Sequence, residues 1–330
     1  MLKTLPRDEV QQAVRRALAE DLGPGDVTSE ALIPRQAHGR AFIVCRAPGV
    51  VAGLTVAREV FRQLKPSASF KPLTADGRRV RRGERVAEIV GPVRTLLAGE
   101  RTALNFIQRL SGVATLTRQC VEAVADHDVK ILDTRKTTPG LRALEKYAVR
   151  VGGGTNHRMG LHDRVLIKDN HLNALLGETG GPFDGSQGRP EGNRMGGDRL
   201  RAVGLAVQRA RERVGKDMII EVEVESLPMV EAAIAADADI IMLDNMTPDQ
   251  MRQAARRVRA HRKKFRSRRP ITEASGGVTP EKLSRIAATG VDTISLGMLT
   301  HSAPAADYAM DICTSERIFT AEARRTQRTE

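Results

Sequence analysis

The sequence predicts an α/β protein that begins with a small α+β region and continues into a parallel β-sheet covered by helices. Three observations lead to this fold class. Helical and strand-like patterns alternate over the first hundred residues, whereas six short β-rich runs separated by helical segments follow from residue 128. Polar or charged residues collect directly after most of these runs, and we expect the chemistry to lie at those strand ends.

The first region combines helices and strands. Val10, Val14, Ala17 and Leu18 form one face of a helix that stops at Gly23–Asp26. Strands are predicted at 41–44 and 50–52, and a helix through Val56, Val60 and Leu64 follows them. Strand-like alternation then runs over 78–93 around a turn at Arg82-Gly83. A helical pattern covers 95–124, and Ser111-Gly112 is expected to interrupt it.

The second region has the rhythm of βα units. Its β-rich runs are Val129–Leu132, Arg164–Ile167, Met218–Val224, Asp239–Leu243, Ile271–Glu273 and Thr293–Leu296. In a closed parallel barrel the carboxyl ends of all strands share one rim, which explains the polar residues collected there. A doubly wound open sheet remains the alternative, because periodicity alone does not separate the two.

Composition limits the classes of function. The chain has a net charge of +13, no apolar run as long as a membrane span, and an N-terminus without a signal-peptide hydrophobic region. Its cysteines, Cys45, Cys120 and Cys313, are odd in number and widely spaced, which is typical of free thiols in a reducing cytoplasm. We therefore expect a cytoplasmic protein with no membrane partner.

Much of the excess charge lies in the segment 251–270, which contains ten basic residues and no acidic one. Met251, Ala254, Ala255, Val258 and Phe265 fall at helical spacing, which predicts an amphipathic helix with a solvated basic face. Nucleic-acid binding is the alternative for this segment. Against it, aromatic residues make up only 3% of the chain, so stacking platforms for bases are scarce.

The segment 131–171 concentrates cations within about forty residues. Arg135, Lys136, His157, Arg158 and Lys168 stand here just after short apolar runs. Such a cluster would repel itself unless an anion lay between its members. The segment therefore predicts a site for a polyanionic small molecule.

Carboxylates and glycines follow the later strands. Glu221, Glu223 and Glu225 alternate along one predicted strand and so share a face, and Asp244 closes the next strand. Together they suit a divalent cation such as Mg²⁺, or ribose hydroxyls and developing positive charge. Ser275–Gly277 and Leu296–Met298 would let backbone N–H groups bind phosphate, although tight strand-to-helix turns explain them equally well.

One segment breaks the rhythm of the second region. Gly177–Asp198 is rich in glycine and lacks apolar periodicity, which predicts a flexible loop or a disordered insertion. Because it comes soon after the IKDN strand end, a lid over the site is an alternative.

These motifs, in this order, resemble the quinolinate phosphoribosyltransferase family, also called the carboxylating nicotinate-nucleotide pyrophosphorylases. The resemblance covers nearly the whole chain and rests most specifically on the blocks DTRKTTPGLR and NHRMGL…IKDNH. Further blocks that match are EDLGPGDVT, GERTALNFIQRLSGVAT, IEVEVES, IIMLDNM, EASGG and SLGMLTHS.

The resemblance implies an N-terminal α/β sandwich and an incomplete, six-stranded α/β barrel. With it we expect a sandwich domain at 1–110 joined by part of the C-terminus, a barrel domain at 111–300 with the glycine-rich insertion 177–198, and a helical segment at 301–330. It also implies transfer of the phosphoribosyl group of phosphoribosyl pyrophosphate to quinolinate with decarboxylation, Mg²⁺ as the metal, and a homodimer. Whether dimers assemble into hexamers stays open.

The family's site residues fall on matching positions of this chain. The quinolinate carboxylates are held by positions matching Arg101 (from the other subunit), Arg135, His157, Arg158 and Lys168, and Thr134 belongs to the same substrate-binding block. Lys136 matches a phosphoribosyl-diphosphate contact that also borders quinolinate, and we expect it to stabilise charge. Glu223 and Asp244 match carboxylates at the ribose and the metal, and Ser275, Gly276, Gly277, Leu296, Gly297 and Met298 match phosphate-binding loops.

Two other functions compete with this expectation. A related phosphoribosyltransferase acts on nicotinate without decarboxylation, but the four cations Arg135, His157, Arg158 and Lys168 favour a dicarboxylate. A nucleic-acid-binding protein would work through the arginine-rich helix, and we expect no nucleic-acid partner.

Overall fold

The computed structural model describes residues 5–179 and 194–314. The elements of the N-terminal part are α1 (Arg7–Leu22), α2 (Val27–Leu32), β1 (His38–Cys45), β2 (Gly49–Val50), α3 (Leu54–Gln63), β3 (Ser69–Pro72), β4 (Arg79–Val80), β5 (Arg85–Pro92) and α4 (Val93–Glu122). Those that follow are β6 (Lys130–Leu132), α5 (Arg142–Val151), β7 (Val165–Ile167), α6 (Asp169–Thr179), α7 (Arg194–Val214), β8 (Ile220–Val224), α8 (Leu227–Ala235), β9 (Ile240–Asp244), α9 (Pro248–Phe265), β10 (Ile271–Ser275), α10 (Leu283–Ala287), β11 (Thr293–Ser295), α11 (Met298–His301) and β12 (Tyr308–Thr314).

The chain divides into two compact units that do not follow its order. The first unit comprises Met1–Gln119, Lys136–Gly154 and Gly297–Glu330, and the second comprises Cys120–Arg135 and Thr155–Leu296. None of the helices within the described ranges is long and apolar enough to cross a membrane.

The first unit is built on a four-stranded antiparallel sheet with the strand order β12-β1-β5-β3. β12 is the last described element, so the expected helix at 301–330 is wrong for residues 308–314, and residues 315–330 lie outside the described part. The alternation over 78–93 belongs to two strands that pair separately, because β4 pairs with β2 whereas β5 pairs with β1 and β3. β3 had no counterpart in the sequence prediction.

Small residues mark close packing in this unit. α4 runs unbroken through Ser111 and Gly112, so the predicted interruption is wrong. The Ser111 hydroxyl receives a hydrogen bond from the backbone N–H of Ala52 at 2.9 Å, and at Gly112 the backbone of Pro304 leaves no room for a Cβ atom. Gly152 is constrained similarly, because a Cβ there would lie 2.6 Å from Cβ of Thr117.

The second unit is built on a six-stranded parallel sheet with the strand order β6-β11-β10-β9-β8-β7. Each of β7 to β10 pairs with its successor in the chain, and β11 then pairs with β6. This order never reverses, whereas a doubly wound sheet requires a reversal. The parallel βα architecture is therefore confirmed, and the singly wound order favours the barrel over the open sheet.

The edge of β6 is extended by a short parallel bridge. Thr155 pairs with Leu132, and its backbone N–H donates to the carbonyl of Ile131 at 2.8 Å. Because β6 and β7 are not paired with each other in the described residues, the sheet is an incomplete barrel, as the resemblance implies.

Helices cover the outside of this sheet. α9 buries Met251, Ala254, Ala255 and Val258, as its pattern predicts, and begins with a capping box between Thr247 and Gln250. Phe265 is 60% exposed at the helix end, so its assignment to the apolar face is wrong. The predicted loop 177–198 is helical at both margins, in α6 and α7, and residues 180–193 lie outside the described part.

Candidate active site

The predicted site residues are divided between the two units. Those in the second unit lie at a strand end or in a segment that follows a strand or the Thr155 bridge, namely Thr134, Arg135, His157, Arg158, Lys168, Glu223, Asp244, Ser275, Gly276, Gly277 and Leu296. Those in the first unit are Arg101, Lys136, Gly297 and Met298.

Asp133 fixes the backbone that carries His157. It directly follows β6 and is fully buried. One carboxylate oxygen accepts a hydrogen bond from Nδ2 of Asn156 at 2.6 Å, and the other accepts from the backbone N–H of His157 at 2.9 Å. Neither Asp133 nor Asn156 was singled out from the sequence, although both stand inside the matched motifs.

His157 reaches across the concave face of the sheet. Its Nε2 lies 3.0 Å from a carboxylate oxygen of Glu221 on β8 and 3.7 Å from one of Glu273 on β10. Arg164 contacts the same oxygen of Glu221 at 3.2 Å. Because His157 follows the β6 edge, this contact requires the sheet to curl until its two edges approach each other.

The alternation of Glu221, Glu223 and Glu225 is only partly realised. Glu221 is fully buried and Glu223 partly buried on β8. Glu225 falls after the strand and is exposed, with a salt bridge to Arg199 at 2.9 Å. Two carboxylates therefore point into the barrel at this strand, and the third is a surface group.

Glu273 is a buried acid that the sequence prediction missed. Neither of its carboxylate oxygens has a hydrogen-bond partner among the described residues. Burial raises the pKa of Glu273 well above its ordinary value, and the charge of Glu221 raises it further. The sequence contains a signal for Glu273, because this residue lies two positions before the predicted site residue Ser275 and so lies on the same face of β10.

Two guanidinium groups lie close together at the same end of the sheet. Arg158 is 6% exposed, and its Nη1 donates to the carbonyl of Arg164 at 3.1 Å. Burial lowers the pKa of Arg158, and the positive charge of Arg135 lowers it further. Cations gathered in poorly solvated surroundings attract a strong anion, as the charge pattern of the segment 131–171 predicts.

Glu223 and Asp244 form the acidic part of the site. Burial raises the pKa of Glu223, Lys168 opposes this with its Nζ 3.7 Å from Oε2, and the charge of Asp244 raises the pKa again. Oε2 of Glu223 is buried without a hydrogen-bond partner in the described chain. The two carboxylates are thus placed to receive a cation or a positively charged reacting centre.

The Ser275–Gly277 loop turns sharply at the end of β10. Gly276 and Gly277 have φ values of +84° and +56°, which glycine adopts without strain. A Cβ atom on Gly276 would also collide with the side chain and the backbone nitrogen of Asn245. The turn therefore needs glycine for its own geometry.

Lys136 packs closely against the Gly297–His301 segment of the first unit. A Cβ atom on Gly297 would lie 2.9 Å from Cδ of Lys136 and 3.1 Å from the ring of His301. The hydroxyl of Thr300 donates to the Lys136 carbonyl at 2.7 Å. A larger residue at 297 would thus displace the Lys136 side chain, a consequence that the sequence pattern alone did not reveal. Arg101 is exposed on α4.

Two groups of side chains offer metal ligands, namely His157 with Glu221 and Glu273, and Glu223 with Asp244. The ligand atoms of His157, Glu221 and Glu273 lie within 4.8 Å of one another. Mg²⁺ prefers oxygen ligands and retains several waters, so a fully buried group with a histidine nitrogen suits it poorly. Glu223 and Asp244 fit Mg²⁺ better, since both offer oxygen ligands and both are only partly buried.

Comparisons with known proteins give one consistent result. The family model for the N-terminal domain of quinolinate phosphoribosyl transferase matches residues 26–111, and that for its C-terminal domain matches residues 113–179 and 197–311. The gap between the two C-terminal segments coincides with most of the glycine-rich insertion.

Individual relatives are similar over almost their full length. A Bacillus subtilis protein named "Probable nicotinate-nucleotide pyrophosphorylase [carboxylating]" is 42% identical, over 93% of this chain and 94% of its own. A nicotinate-nucleotide pyrophosphorylase [carboxylating] of Mycobacterium leprae is 38% identical, over 94% and 100%. The solved structure of the nicotinate-nucleotide pyrophosphorylase from Francisella tularensis superposes with a TM-score of 0.80 at 35% identity, covering 95% of this chain and 99% of that one.

Proposed function

This chain belongs to the quinolinate phosphoribosyltransferase family, and from that premise we propose how its residues perform the family's reaction. The enzyme transfers the phosphoribosyl group of phosphoribosyl pyrophosphate to the nitrogen of quinolinate. It releases pyrophosphate and CO₂ and gives nicotinate mononucleotide for NAD biosynthesis. The observation that carries the assignment of the site is the pair of guanidinium groups of Arg135 and Arg158, with Glu223 and Asp244 at other strand ends of the same sheet.

Quinolinate binds through its two carboxylates. Arg135 and Arg158 suit these groups because a guanidinium binds a carboxylate through two parallel hydrogen bonds. His157 and Lys168 complete the cationic surface. Glu221 holds the His157 ring through Nε2, so the orientation of the ring is set before the substrate arrives.

Transfer of the phosphoribosyl group separates charge at the ribose. The bond from C1 to the pyrophosphate breaks while the quinolinate nitrogen attacks, so positive charge develops at C1. Glu223 and Asp244 stabilise this charge more strongly in the transition state than in the ground state. Lys136 stabilises the negative charge of the phosphoribosyl donor.

Decarboxylation then requires little of the protein. The ring nitrogen is positively charged once it carries the ribose, so it stabilises the electron pair that stays on the ring carbon when the carbon–carboxylate bond breaks and CO₂ leaves. The resulting ring carbanion then takes up a proton from water. The cations of the site need only hold the 2-carboxylate out of the ring plane, and no basic residue is required.

Mg²⁺ is the metal we propose. Glu223 and Asp244 would hold it, and when bound it would supply positive charge toward the phosphate oxygens of the donor. Both residues are only partly buried, and Oε2 of Glu223 has no hydrogen-bond partner among the described residues, which supports this assignment.

The first experiment is incubation of the protein with quinolinate, phosphoribosyl pyrophosphate and Mg²⁺, followed by detection of nicotinate mononucleotide. Quinolinate labelled in its 2-carboxylate should release labelled CO₂ in equal amount. Turnover of nicotinate in place of quinolinate would instead indicate the related activity without decarboxylation.

We also propose a homodimer in which Arg101 serves the site of the other subunit. The exposure of Arg101 on α4 supports this role. Arg101→Ala and Lys136→Ala proteins should each be nearly inactive. Mixed and refolded together, they should regain part of the activity, because some heterodimers carry one intact site. No recovery would contradict a shared site.

The proposed compartment is the cytoplasm. Cys45, Cys120 and Cys313 are all free, and burial raises the pKa of the Cys120 thiol to about 11, which keeps it protonated. Cell fractionation with an antibody against the protein tests this proposal.

A further inference from the structure

A buried ion pair holds the loop that begins at Lys136. Arg109 on α4 contacts Glu145 on α5 through Nε at 3.0 Å and Nη2 at 2.7 Å. Glu145 is fully buried and also accepts two hydrogen bonds from Thr138, from its backbone N–H at 3.0 Å and from its hydroxyl at 2.7 Å. The carboxylate thus links two helices to the loop.

Arg109 also contacts the segment 300–303, which packs against Lys136. Its Nη1 donates to the carbonyl of Ala303 at 3.0 Å, and its Nη2 donates to the carbonyl of Thr300. The hydroxyl of Thr300 in turn donates to the carbonyl of Lys136. Together with the covalent chain from Lys136 to Thr138, these hydrogen bonds close a ring from Arg109 through Glu145 and Thr138 to Lys136, and back through Thr300.

The contribution of the Arg109–Glu145 ion pair to stability does not by itself explain its many hydrogen bonds. A buried ion pair often contributes little more to stability than well-packed apolar residues would, because both charges must be desolvated. Arg109, however, donates to the backbone carbonyls of Thr300 and Ala303, and Glu145 accepts from Thr138. The pair as a whole therefore contacts the segments on both sides of Lys136. The pair therefore defines where the Lys136 backbone lies.

We propose that Arg109 and Glu145 are positioning residues that hold the Lys136 backbone so that its ammonium group meets the phosphoribosyl donor. The inference rests on the proposed function, which assigns Lys136 to that donor. A lysine side chain is long and flexible, so its charge is well placed only if its backbone is fixed. The ring of hydrogen bonds supplies that constraint.

The most direct test removes one hydroxyl without changing shape. Thr300→Val deletes the donor to the Lys136 carbonyl. Thr289→Val is the matched control, because Thr289 is equally buried and its hydroxyl donates to the carbonyl of Ile286 at 2.6 Å, in the second unit. We expect kcat/KM for phosphoribosyl pyrophosphate to fall about 10-fold in Thr300→Val and less than 2-fold in Thr289→Val. The two thermal midpoints should fall by similar amounts.

A second pair of variants tests the ion pair itself. Arg109→Lys keeps the charge but cannot make all the contacts of the guanidinium group. Arg62→Lys is its control, because Arg62 contacts Glu59 through Nε and Nη2, both at 2.6 Å, on α3. We expect a loss of kcat/KM in Arg109→Lys alone. Hydrogen exchange at the Thr138 amide should accelerate in Arg109→Lys and remain slow in Arg62→Lys.

The outcomes separate this inference from the function on which it rests. If wild-type protein makes no nicotinate mononucleotide, the proposed function fails and the positioning role fails with it. If the wild-type protein is active but Thr300→Val keeps the kcat/KM of Thr289→Val, the positioning role alone is contradicted. A Thr138 amide that exchanges equally fast in wild-type and Arg109→Lys proteins contradicts the ring of hydrogen bonds.

Discussion

Both ends of the six-stranded sheet carry charged side chains, but the two ends differ in how completely these side chains are hydrogen-bonded. At the amino ends, Asp239 precedes β9 and accepts hydrogen bonds from Arg211 at 2.7 Å, Arg269 at 2.5 Å and the backbone N–H of Ile220 at 2.8 Å. Toward the carboxyl ends, an oxygen of Glu223 and both oxygens of Glu273 inside the barrel have no hydrogen-bond partner within the described ranges, although Lys168 and His157 each approach one of these carboxylates at 3.7 Å.

A second aspartate repeats the pattern at the amino ends. Asp292 precedes β11 and binds Arg262 through both carboxylate oxygens at 3.0 Å. It also accepts from the backbone N–H of Thr272 at 2.7 Å and from its hydroxyl at 2.8 Å. Arg262 and Arg269 belong to the arginine-rich segment 251–270, so part of its charge is structural.

The difference assigns separate tasks to the two ends. Paired and hydrogen-bonded charges at the amino ends hold adjacent strands together. Charges at the carboxyl ends remain partly unsatisfied, which lowers stability but leaves them ready for substrate. The comparison predicts that substitutions at one end change activity, and substitutions at the other end change stability.

The largest effect is expected from removing a cation at the carboxyl ends. Arg158→Met should lower kcat/KM for quinolinate about 1000-fold, because a buried carboxylate of the substrate loses its partner. Its thermal midpoint should not fall, since burial already disfavours the charge of Arg158. Arg211→Met is the matched control at the amino ends and should lose stability but retain kcat. Equal losses of activity in both variants would contradict the comparison.

The next effect is on stability at the amino ends. Asp239→Ala should lower the free energy of unfolding by about 3 kcal/mol, since it removes the acidic partner of a buried network. Urea denaturation measures this change, and kcat should stay within a factor of two. Asp249→Ala on the surface, where the side chain is 80% exposed, should change stability by less than about 1 kcal/mol.

A smaller effect of opposite sign is expected at Glu223. Glu223→Gln removes a partly buried charge that burial disfavours and Asp244 repels, and these effects outweigh the attraction of Lys168. It should therefore raise the free energy of unfolding by about 1 kcal/mol while activity falls. Thermal unfolding without substrate or Mg²⁺ measures the gain. A loss of stability would show that Glu223 is well paired in the free enzyme.

The smallest effect concerns pH. Burial tends to raise the pKa of Asp239, but the Ile220 N–H and the guanidinium groups of Arg211 and Arg269 together lower it. The stability that ionised Asp239 contributes is therefore present above its unfolded pKa near ~4 and is lost as the pH falls through the lower folded value. From about pH 5 to about pH 3, the free energy of unfolding should therefore fall more steeply in wild-type protein than in Asp239→Asn.

The sequence predicted the second unit closely because its strands end in polar residues. Four of the six predicted β-rich runs contain the observed strand, Asp239–Leu243 misses only the last residue of β9, and Ile271–Glu273 covers the first three residues of β10. His157 and Arg158 were also predicted at the site although they follow no strand, because the family motif includes them. Periodicity cannot show that the Thr155 bridge brings them there.

Other features needed tertiary contacts that no local pattern contains. Ser111-Gly112 was interpreted as a helix break, yet its small side chains accommodate Ala52 and Pro304 against a continuous helix. β12 was not predicted, because its strand structure depends on pairing with the distant β1, which no local pattern shows. The Arg109–Glu145 pair joins residues on two helices, and nothing in the spacing indicates that they meet.

The pairing of β12 with β1 has a consequence for protein synthesis. β1 lies between β5 and β12, with register partners from Gly39 and Thr314 to Cys45 and Tyr308. A chain growing on the ribosome completes β6 to β11 before β12 emerges, so the second sheet can close while the first still exposes an edge of β1. A nascent chain that stalls before residue 308 therefore presents that edge of β1 to its neighbours.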